Sequence, residues 1–413
     1  MDTGSAYELL TIGLGRKLGA GTSGTVYELV PDGSQANVGN RMVQIQISNP
    51  ARSQSTAQEL AGMHSNGYKC VAKEVQAGAG DVEQVKKEVE LHNLCSQGCN
   101  DIVRCVFSGF ATAAPHQLIV VMEACHCDLW TVLTAALDGG ASKSLDRAPS
   151  NVSVSSRDSK PGLKRAASGS CVWTPQGGKL IKQPSIDERA EWTQSLCRAL
   201  QHCHKRRVLH RDVNPWNVLV TYKRDGERCR EVRLADFGLA ALVPAGAELS
   251  GIEADGAVPL DESAMNSLYS APELGKSYGM PSDVFSMGMT LLALWAAADV
   301  GAGVAAKASD DLITYVESAK EAALQGEALE QSLVSHLKAG SVSAPPADTL
   351  LLMVSAAAHL RPTADEVVFA TRSWYGKHTA PMLDEKGADE ADEQTKPKRC
   401  CVCPFSRKGR GND

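Results

Sequence analysis

The sequence predicts an α+β fold, with a small β-rich part followed by a larger helical part. Strand-like runs of alternating or β-branched residues occur at 25–30, 42–47, 68–73 and 117–122. One helical pattern of apolar residues lies among them at 81–96, and longer helical patterns follow at 185–203 and 281–298. A chain of 413 residues is long for one core. We therefore expect one two-lobed domain with insertions, or two to three domains.

The composition argues against several classes of protein. The net charge of −6 is mild and disfavours a dedicated nucleic-acid binder. The 13 cysteines, an odd number, indicate a reducing compartment rather than a disulfide framework, so we expect a cytoplasmic protein. The start of the chain shows neither the basic nor the apolar region of a signal peptide. The longest apolar run, 287–306, is interrupted by Asp299 and is expected to be a buried helix rather than a membrane span.

The most informative stretch is VLHRDVNPWN at 208–217, which is followed by LADFG at 234–238. The segment between them reads as two short strands around an Asp225-Gly226 pair, a combination typical of a hairpin turn. An antiparallel hairpin brings the residues before its first strand next to the residues after its second strand. The two motifs are therefore expected to lie side by side.

Three polar side chains of these motifs have the chemistry that phosphoryl transfer requires. The reaction needs an acceptor hydroxyl held in line and phosphate charge neutralised by metal, with little covalent help from the protein. Asp212 would accept a hydrogen bond from the substrate hydroxyl, while Asn217 and Asp236 offer hard oxygen ligands suited to Mg2+.

In order and spacing, the His-Arg-Asp, Asn and Asp-Phe-Gly motifs resemble those of the eukaryotic protein kinase family. The resemblance implies a two-lobed fold, with a small antiparallel β lobe that carries one main helix and a larger, mainly α-helical lobe. The implied parts are an N-terminal extension (1–12), the small lobe (13–122), the large lobe (128–375), two insertions (about 31–66 and 138–184) and a charged, disordered tail (376–413).

The resemblance also implies an activity. It is the transfer of the γ-phosphoryl group of ATP, with Mg2+, to hydroxyl groups of protein substrates. Pro215 resembles the Ser/Thr class of the family, so Ser/Thr acceptors are favoured over Tyr. A second hypothesis is an ATP-binding pseudokinase that acts as a scaffold or allosteric regulator.

A glycine-rich run, LGAGTSGTVY at 18–27, has the spacing of a phosphate-binding loop. Such glycines also open dinucleotide sites, but there a helix follows, whereas here a strand-like run follows at 25–30. The loop is therefore expected to join two strands and to lie over the ATP phosphates. The residues predicted to contact ATP here are Leu18, Gly19, Ala20, Gly21, Gly24 and Val26. The next segment, 31–66, is predicted to be a long loop that contains one half-exposed strand at 42–47.

Lys73 follows in a Val-Ala-Lys strand, and the resemblance gives it contacts to the α- and β-phosphates. The helix at 81–96 should carry the glutamate that pairs with it. Glu90 is preferred because Leu94 lies one turn later on the same face, and Glu88 is kept as the alternative.

The apolar run 117–122 ends where the family places the hinge between its lobes. By position, the backbone of Glu123 and Cys125 would bind the adenine edge, with Met122 behind it. Asp128 is a predicted ribose contact.

The segment from Asp236 to the Ala-Pro-Glu motif at 271–273 is long and acidic, and it corresponds to the activation segment of the family. Arg211 would receive a phosphate from it, with Ser263 and Ser267 as candidate sites, or acidic side chains would occupy that place instead. The resemblance also pairs Glu273 with Arg361.

One departure from the family lies in the catalytic loop itself. Asn214 stands where the Ser/Thr class carries a lysine near the transferring phosphate, and Asn266-Ser267 replaces the threonine that contacts this lysine. Loss of the charge would slow the reaction on the order of 10²-fold or more. The alternative is a new contact of Asn214 with Asn266 or Ser267.

The tail consists of an acidic block at 384–393 and a basic block at 396–410 that encloses Cys400, Cys401 and Cys403. Acylated cysteines beside basic residues would anchor the protein peripherally to a membrane. A solvated tail is the equally weighted alternative. Protein substrates are the expected partners, nucleic acid is not expected, and the oligomeric state stays open.

Overall fold

The structure is a computed structural model. It describes residues 7–21, 24–30, 41–48, 56–65, 69–76, 82–135, 183–222, 230–243, 266–273, 278–300, 308–325 and 347–379.

The small lobe is built on an antiparallel β-barrel. Its elements are β1 (Tyr7–Gly21), β2 (Gly24–Val30), β3 (Arg41–Ser48), α1 (Thr56–Ser65), β4 (Cys70–Gln76), α2 (Val82–Ser96), β5 (Cys105–Ala111) and β6 (Ala114–Glu123). The strand order is β1-β2-β4-β6-β5-β3, and β3 pairs back onto β1 to close the barrel.

The strand that closes the barrel comes from the segment predicted to be a long loop. The predicted strand at 42–47 is present as β3, and helix α1 was not predicted. Leu60 and Met63 of α1 are buried among the side chains of the barrel interior. Strand β3 and helix α1 are therefore integral parts of the small lobe.

Strands β2, β4 and β6 bury side chains on both faces, because consecutive residues of a strand point in opposite directions. Ala72 and Val121 belong to the barrel interior. Val26, Val71 and Met122 belong to the opposite face, which packs against α2 and the large lobe. This second face positions the predicted nucleotide site.

The large lobe is mainly helical. Its elements are β7 (Cys127–Asp128), α3 (Leu129–Ala135), α4 (Ile186–Lys205), β8 (Val208–Leu209), β9 (Val218–Tyr222), β10 (Arg230–Leu234), β11 (Ala241–Leu242), α5 (Met280–Val300), α6 (Ala308–Gln325), α7 (Ala347–Met353) and α8 (Ala364–Thr379). Strands β9 and β10 form the predicted hairpin, whose turn at Asp225-Gly226 lies outside the described residues.

Helix α5 lies at the centre of this lobe, and its residues 283–297 are buried. This agrees with the interpretation of the apolar run as a buried helix. Within the described part of the chain, no helix has the length and apolar character needed to cross a bilayer.

Two helices begin at capping boxes that the sequence encodes as Ser185-x-x-Glu188 and Thr363-x-x-Glu366. At α4, the Ser185 hydroxyl accepts a hydrogen bond from Glu188 N at 3.2 Å, and Ser185 N donates to the Glu188 carboxylate at 2.9 Å. Thr363 and Glu366 make the corresponding pair at α8. Each pair satisfies backbone amides that the first turn leaves without partners.

The limits of the folded part differ from the implied ones. Strand β1 begins at Tyr7, inside the implied N-terminal extension, because Tyr7 already pairs with Ser48. Helix α8 continues to Thr379, beyond the implied end at 375. Residues 1–378 form one compact unit, and residues 379–413 form another.

Candidate active site

Lys73 and Asp236 lie in contact between the two lobes. The outer face of β4 presents the Lys73 side chain, which is buried, and Asp236 follows the β9–β10 hairpin. Lys73 Nζ lies 3.3 Å from Asp236 Oδ1 and 3.8 Å from Glu88 Oε1. The lysine and the aspartate that the sequence predicts for one nucleotide site are therefore brought together.

The prediction that Glu90 pairs with Lys73 is wrong, and the structure gives this position to Glu88. Glu90 is exposed, and so is Leu94, the residue taken to mark its inward face. The inward face of α2 instead carries Val89 and His92, which are buried. The error arose because an apolar residue was assumed to point inward and a histidine was not considered.

The carboxylate of Asp212 is held by two amide side chains. Asn214 Nδ2 donates to Asp212 Oδ1 at 2.8 Å, and Asn217 Nδ2 donates to Asp212 Oδ2 at 2.6 Å. Asn217 Nδ2 also lies 2.8 Å from the backbone oxygen of Asp212. These bonds fix the orientation of the predicted base.

Among the described residues, Asn214 makes no hydrogen bond with Asn266 or Ser267, so the suggested new pairing is not seen there. Its Oδ1 accepts hydrogen bonds from the backbone amides of Trp216 and Asn217, at 3.0 and 3.2 Å. The amide group therefore ties the catalytic loop together through an acceptor that a lysine lacks. It does not supply the positive charge.

Burial and neighbouring charges separate the pKa values of the two aspartates. Burial and the nearby charge of Asp236 raise the pKa of Asp212 to about 7, although its amide donors oppose the rise. Burial alone would also raise the pKa of Asp236, but Lys73 outweighs it and lowers that pKa. One carboxylate is thus poised near neutrality and the other stays ionised, as a base and a metal ligand require.

Asp283, at the start of α5, anchors the His-Arg-Asp turn through hydrogen bonds to its backbone. Its buried carboxylate accepts hydrogen bonds from the backbone amides of His210 and Arg211, each at 2.8 Å, and from Tyr278 Oη at 3.0 Å. Arg211 has a positive φ of 67° and Asp236 one of 63°, which only a well-anchored loop holds in non-glycine residues. The central helix therefore fixes the geometry of the catalytic loop.

Phe237 fills the space between the catalytic loop and α2. Its ring stacks on His92, with the centroids 4.9 Å apart, and packs at an angle on His210, with the centroids 4.8 Å apart. His92 Nε2 lies 2.8 Å from the backbone oxygen of Val103. Burial lowers the pKa of His92 to about 4, so this ring is neutral. His92 was missed because a lone histidine in a helix gives no distinctive sequence signal.

The glycine loop lies as predicted at the junction of β1 and β2, although Thr22 and Ser23 fall outside the described residues. Gly24 has a φ of 134°, and a Cβ there would lie 2.4 Å from the backbone oxygen of Glu74. Only glycine permits this approach of the loop to β4. Leu18 packs beside Val26 in the cluster that faces the large lobe.

The predicted hinge residues follow directly at the end of β6. Met122 and Cys125 are buried in the same cluster as Val26. The Glu123 carboxylate accepts a hydrogen bond from Arg104 N at 2.6 Å and pairs with Arg233. Asp128 Oδ1 accepts a hydrogen bond from Thr131 N at 2.6 Å and so caps α3. The contacts of these residues with adenine and ribose stay predictions.

The residues present fit a divalent cation. Asn217 Oδ1 is buried and has no hydrogen-bond partner among the described residues, while its Nδ2 is engaged by Asp212. The ionised carboxylate of Asp236 comes from the neighbouring motif. An oxygen pair of this kind suits a hard cation, which would give the buried Asn217 Oδ1 a partner.

The segment before α5 is held from two sides. Arg361 donates two hydrogen bonds to the Glu273 carboxylate, at 2.6 and 2.8 Å, as the resemblance implied. Lys320 of α6 donates to the backbone oxygens of Ser267 and Ser270. Burial lowers the pKa of Lys320 to about 8. No sequence signal distinguishes Lys320 from a surface lysine, so it was missed.

The predicted regulatory residues are only partly described. Arg211 is buried, with its guanidinium 6.0 Å from the centre of the Tyr278 ring, and its Nε has no partner in the described part of the chain. Ser267 lies in a turn, and Ser263 lies outside the described residues. The predicted acylation sites Cys400, Cys401 and Cys403 also lie outside them.

Residues 176–370 match the family model described as the protein kinase domain. This part of the chain is therefore similar to the protein kinase domain. The matched part contains the catalytic loop, the Asp-Phe-Gly motif, the Ala-Pro-Glu motif and most of the large lobe. The small-lobe half of the candidate site, with the glycine loop and Lys73, precedes the match and is placed beside Asp236 by the geometry above.

Similar proteins bear kinase names. Serine/threonine-protein kinase PEPKR2 of Arabidopsis thaliana is 32% identical over 199 residues, which are 46% of this chain and 36% of that protein. Serine/threonine-protein kinase KIN28 of Saccharomyces cerevisiae is 34% identical over 101 residues, 24% of this chain and 28% of that protein. Aurora kinase B of Xenopus tropicalis is 40% identical over 68 residues, 16% of this chain and 17% of that protein. The chain thus spans about a third or less of each relative.

Proposed function

We propose that this protein transfers the γ-phosphoryl group of ATP to serine and threonine hydroxyls of protein substrates. The observation that carries the proposal is the convergence of Asp212, Asn217 and Asp236 with Lys73, a residue from the other lobe. The serine/threonine preference draws on Pro215 and on the names of the similar kinases.

Each residue has a role that its environment supports. Asp212 accepts the proton of the substrate hydroxyl, since burial and Asp236 bring its pKa to about 7. Lys73, held by Glu88 and Asp236, binds the α- and β-phosphates. The glycine loop closes over the phosphates with its backbone amides.

Asn217 and Asp236 would hold Mg2+ through their side-chain oxygens. When bound, the metal neutralises the charge of the phosphates during transfer. Asn214 contributes no cation, but it orients Asp212 and the loop that carries Asn217.

The direct test is transfer of radiolabel from [γ-32P]ATP to a generic protein substrate, compared between the wild type and Asp212→Ala. We expect transfer by the wild type and loss on the order of 10³-fold in the variant, because the base and its orientation are removed together. ATP binding, measured separately by calorimetry, should survive in Asp212→Ala. ATP binding by a wild type that transfers no more label than Asp212→Ala would instead support the pseudokinase hypothesis.

A second variant tests the departure from the family. In Asn214→Lys, the added cation would stabilise the transferring phosphate, but the acceptor for the amides of Trp216 and Asn217 would be lost. A large gain in kcat would show that the missing charge limits turnover. A loss would show that this loop now depends on the amide.

The cysteine content of the chain and the composition of its tail are the grounds for a proposed localisation. We propose a cytoplasmic protein, with peripheral membrane association if the tail cysteines are acylated. Metabolic labelling with a palmitate analogue, compared between the wild type and a variant with Ser at 400, 401 and 403, tests the proposed acylation. Label in the wild type that is lost in the variant is the expected result.

A further inference from the structure

A charge network of one buried carboxylate and one half-exposed cation lies on the reverse side of the strand that carries Lys73. Lys73 faces the nucleotide site, whereas its neighbour Glu74 points to the barrel side of β4, where its side chain is 8% exposed. Arg41 Nη2 donates to Glu74 Oε2 at 2.6 Å. The Arg41 guanidinium also lies 5.4 Å from the centre of the Tyr27 ring, and burial together with the neighbouring Glu74 carboxylate raises the pKa of the Tyr27 hydroxyl.

This network joins three strands. Arg41 is the first residue of β3, which closes the barrel and comes from the segment with no function predicted from sequence. Tyr27 belongs to β2, the strand that leaves the glycine loop, and Glu74 belongs to β4. The backbone oxygen of Glu74 is also the atom against which Gly24 packs. Glu74, the partner of Arg41, is thus a residue of the strand that carries Lys73 and contacts the glycine loop through its backbone oxygen.

We propose that Arg41 is a positioning residue for ATP binding, which acts through Glu74 to hold the glycine loop against the strand that carries Lys73. The physical reason is the cost of a buried carboxylate without a cation. If Arg41 is removed, the buried Glu74 carboxylate loses its cation and must gain water, and we expect this to loosen the pairing of β2 with β4 at Thr25–Glu74. That movement carries the glycine loop away from the phosphates. The proposal rests on the proposed ATP-dependent function.

The test compares Arg41→Met, Arg41→Lys and, as the matched control, Arg16→Met, which removes an exposed cation from β1 of the same lobe. We expect Arg41→Met to weaken MgATP binding by about three- to tenfold and to raise the KM for ATP equally, with kcat changed less than about twofold. Arg41→Lys should retain most of the affinity, and Arg16→Met should match the wild type.

A double-mutant cycle with Glu74→Gln shows whether the effect passes through Glu74. If it does, Arg41→Met should weaken MgATP binding little further in the Glu74→Gln background. A full additional loss in that background would overturn the proposed route.

Hydrogen exchange of the nucleotide-free protein separates this proposal from the proposed function. Faster exchange of the amides at 24–28 and 71–74 in Arg41→Met, with the large lobe unchanged, is the expected result. Unchanged exchange there would overturn the positioning role, whether or not the protein transfers phosphate. A wild type that binds no MgATP would overturn both proposals. A lower Tm in Arg41→Met with unchanged MgATP affinity would reduce Arg41 to a structural residue and also overturn the positioning role.

Discussion

At the scale of single residues, small differences in placement decide function. Glu88 and Glu90 are two positions apart on one helix, yet only Glu88 reaches Lys73, because residues two apart face different sides of an α-helix. Glu90 is exposed. Burial raises the pKa of Glu88, and Lys73 opposes the rise. The pair with Lys73 therefore offsets the cost of keeping this carboxylate charged.

We expect Glu88→Gln to lower kcat/KM for ATP by about 10²-fold, because Lys73 loses an anionic partner and the inward position of α2 weakens. Steady-state kinetics at varied ATP measures the loss. Glu90→Gln, the matched control on the same helix, should change kcat/KM less than about twofold. Equal losses in the two variants would contradict the assignment of Glu88.

The same scale governs the catalytic base. Asn214 donates a hydrogen bond to the ionised Asp212, which lowers the pKa of that carboxyl from the value that burial alone would give. Asp212 must be ionised to accept a proton, so activity should fall as the pH drops below about 7.

In Asn214→Ala, the acid limb of the kcat/KM profile should move to higher pH by on the order of half a unit, because a donor to the carboxylate is lost. In Asn214→Lys, an added cation should move it to lower pH. Profiles measured from pH 5.5 to 9 with both variants decide the point. Movement in the same direction in both would count against Asp212 as the titrating group.

At the scale of elements, helix α2 connects the two lobes through its inward face. Glu88 reaches the strand of Lys73, while His92, one turn later, stacks on Phe237 of the Asp-Phe-Gly motif. Helix α2 thus contacts both the small-lobe strand that carries Lys73 and the Asp-Phe-Gly motif of the large lobe. A histidine at this position makes the contact depend on protonation, since a charged ring would be buried against Phe237.

His92 should make the protein less stable in acid. Burial lowers its pKa to about 4 in the folded state, below the usual value near 6.5. The unfolded chain therefore binds the proton first as the pH falls through 6.5, and the folded state loses about 2 kcal/mol relative to it by pH 5. Urea unfolding at pH 7.5 and pH 5 measures this difference.

In His92→Leu, the loss of about 2 kcal/mol in unfolding free energy between pH 7.5 and pH 5 should disappear. In His116→Leu, at an exposed position of β6, this loss should remain. Burial also lowers the pKa of His210, so some acid sensitivity should remain in His92→Leu. An identical pH dependence in the wild type and His92→Leu would contradict the role given to this ring.

At the scale of the whole molecule, the described elements all fall within residues 7–379, and contacts separate residues 379–413 as a unit of their own. The central helix α5 anchors the catalytic loop through Asp283, and the barrel anchors Lys73 and the glycine loop. The compact unit thus contains every predicted catalytic and ATP-binding residue.

We expect a chain that ends at residue 380 to keep its ATP affinity and a Tm within about 2 °C of the full chain, because the contacts described here are retained. Differential scanning fluorimetry and MgATP binding check both values. A loss of several degrees would show that residues 381–413 support the fold, contrary to the predicted tail.

The sequence by itself determined the residues of the candidate site, because the proposed phosphoryl transfer requires particular groups at particular spacings. The catalytic loop, the Asp-Phe-Gly motif, the glycine loop, both capping boxes and the ion pair of Glu273 with Arg361 could all be predicted in this way. The capping boxes depend on residues a few positions apart, whereas the other features follow from motifs that resemble those of the kinase family.

Only the tertiary structure decided which side chains meet across large separations in sequence. Three features depend on the packing of distant elements: Glu88 rather than Glu90 at Lys73, His92 on Phe237, and the closure of the barrel by β3 from the 31–66 segment. The spacing of apolar residues gives the period of a helix or strand, but it leaves the orientation of a weakly amphipathic helix such as α2 undetermined. Burial then selects among the candidate residues, because a charged or polar side chain stays inside only where a partner meets it.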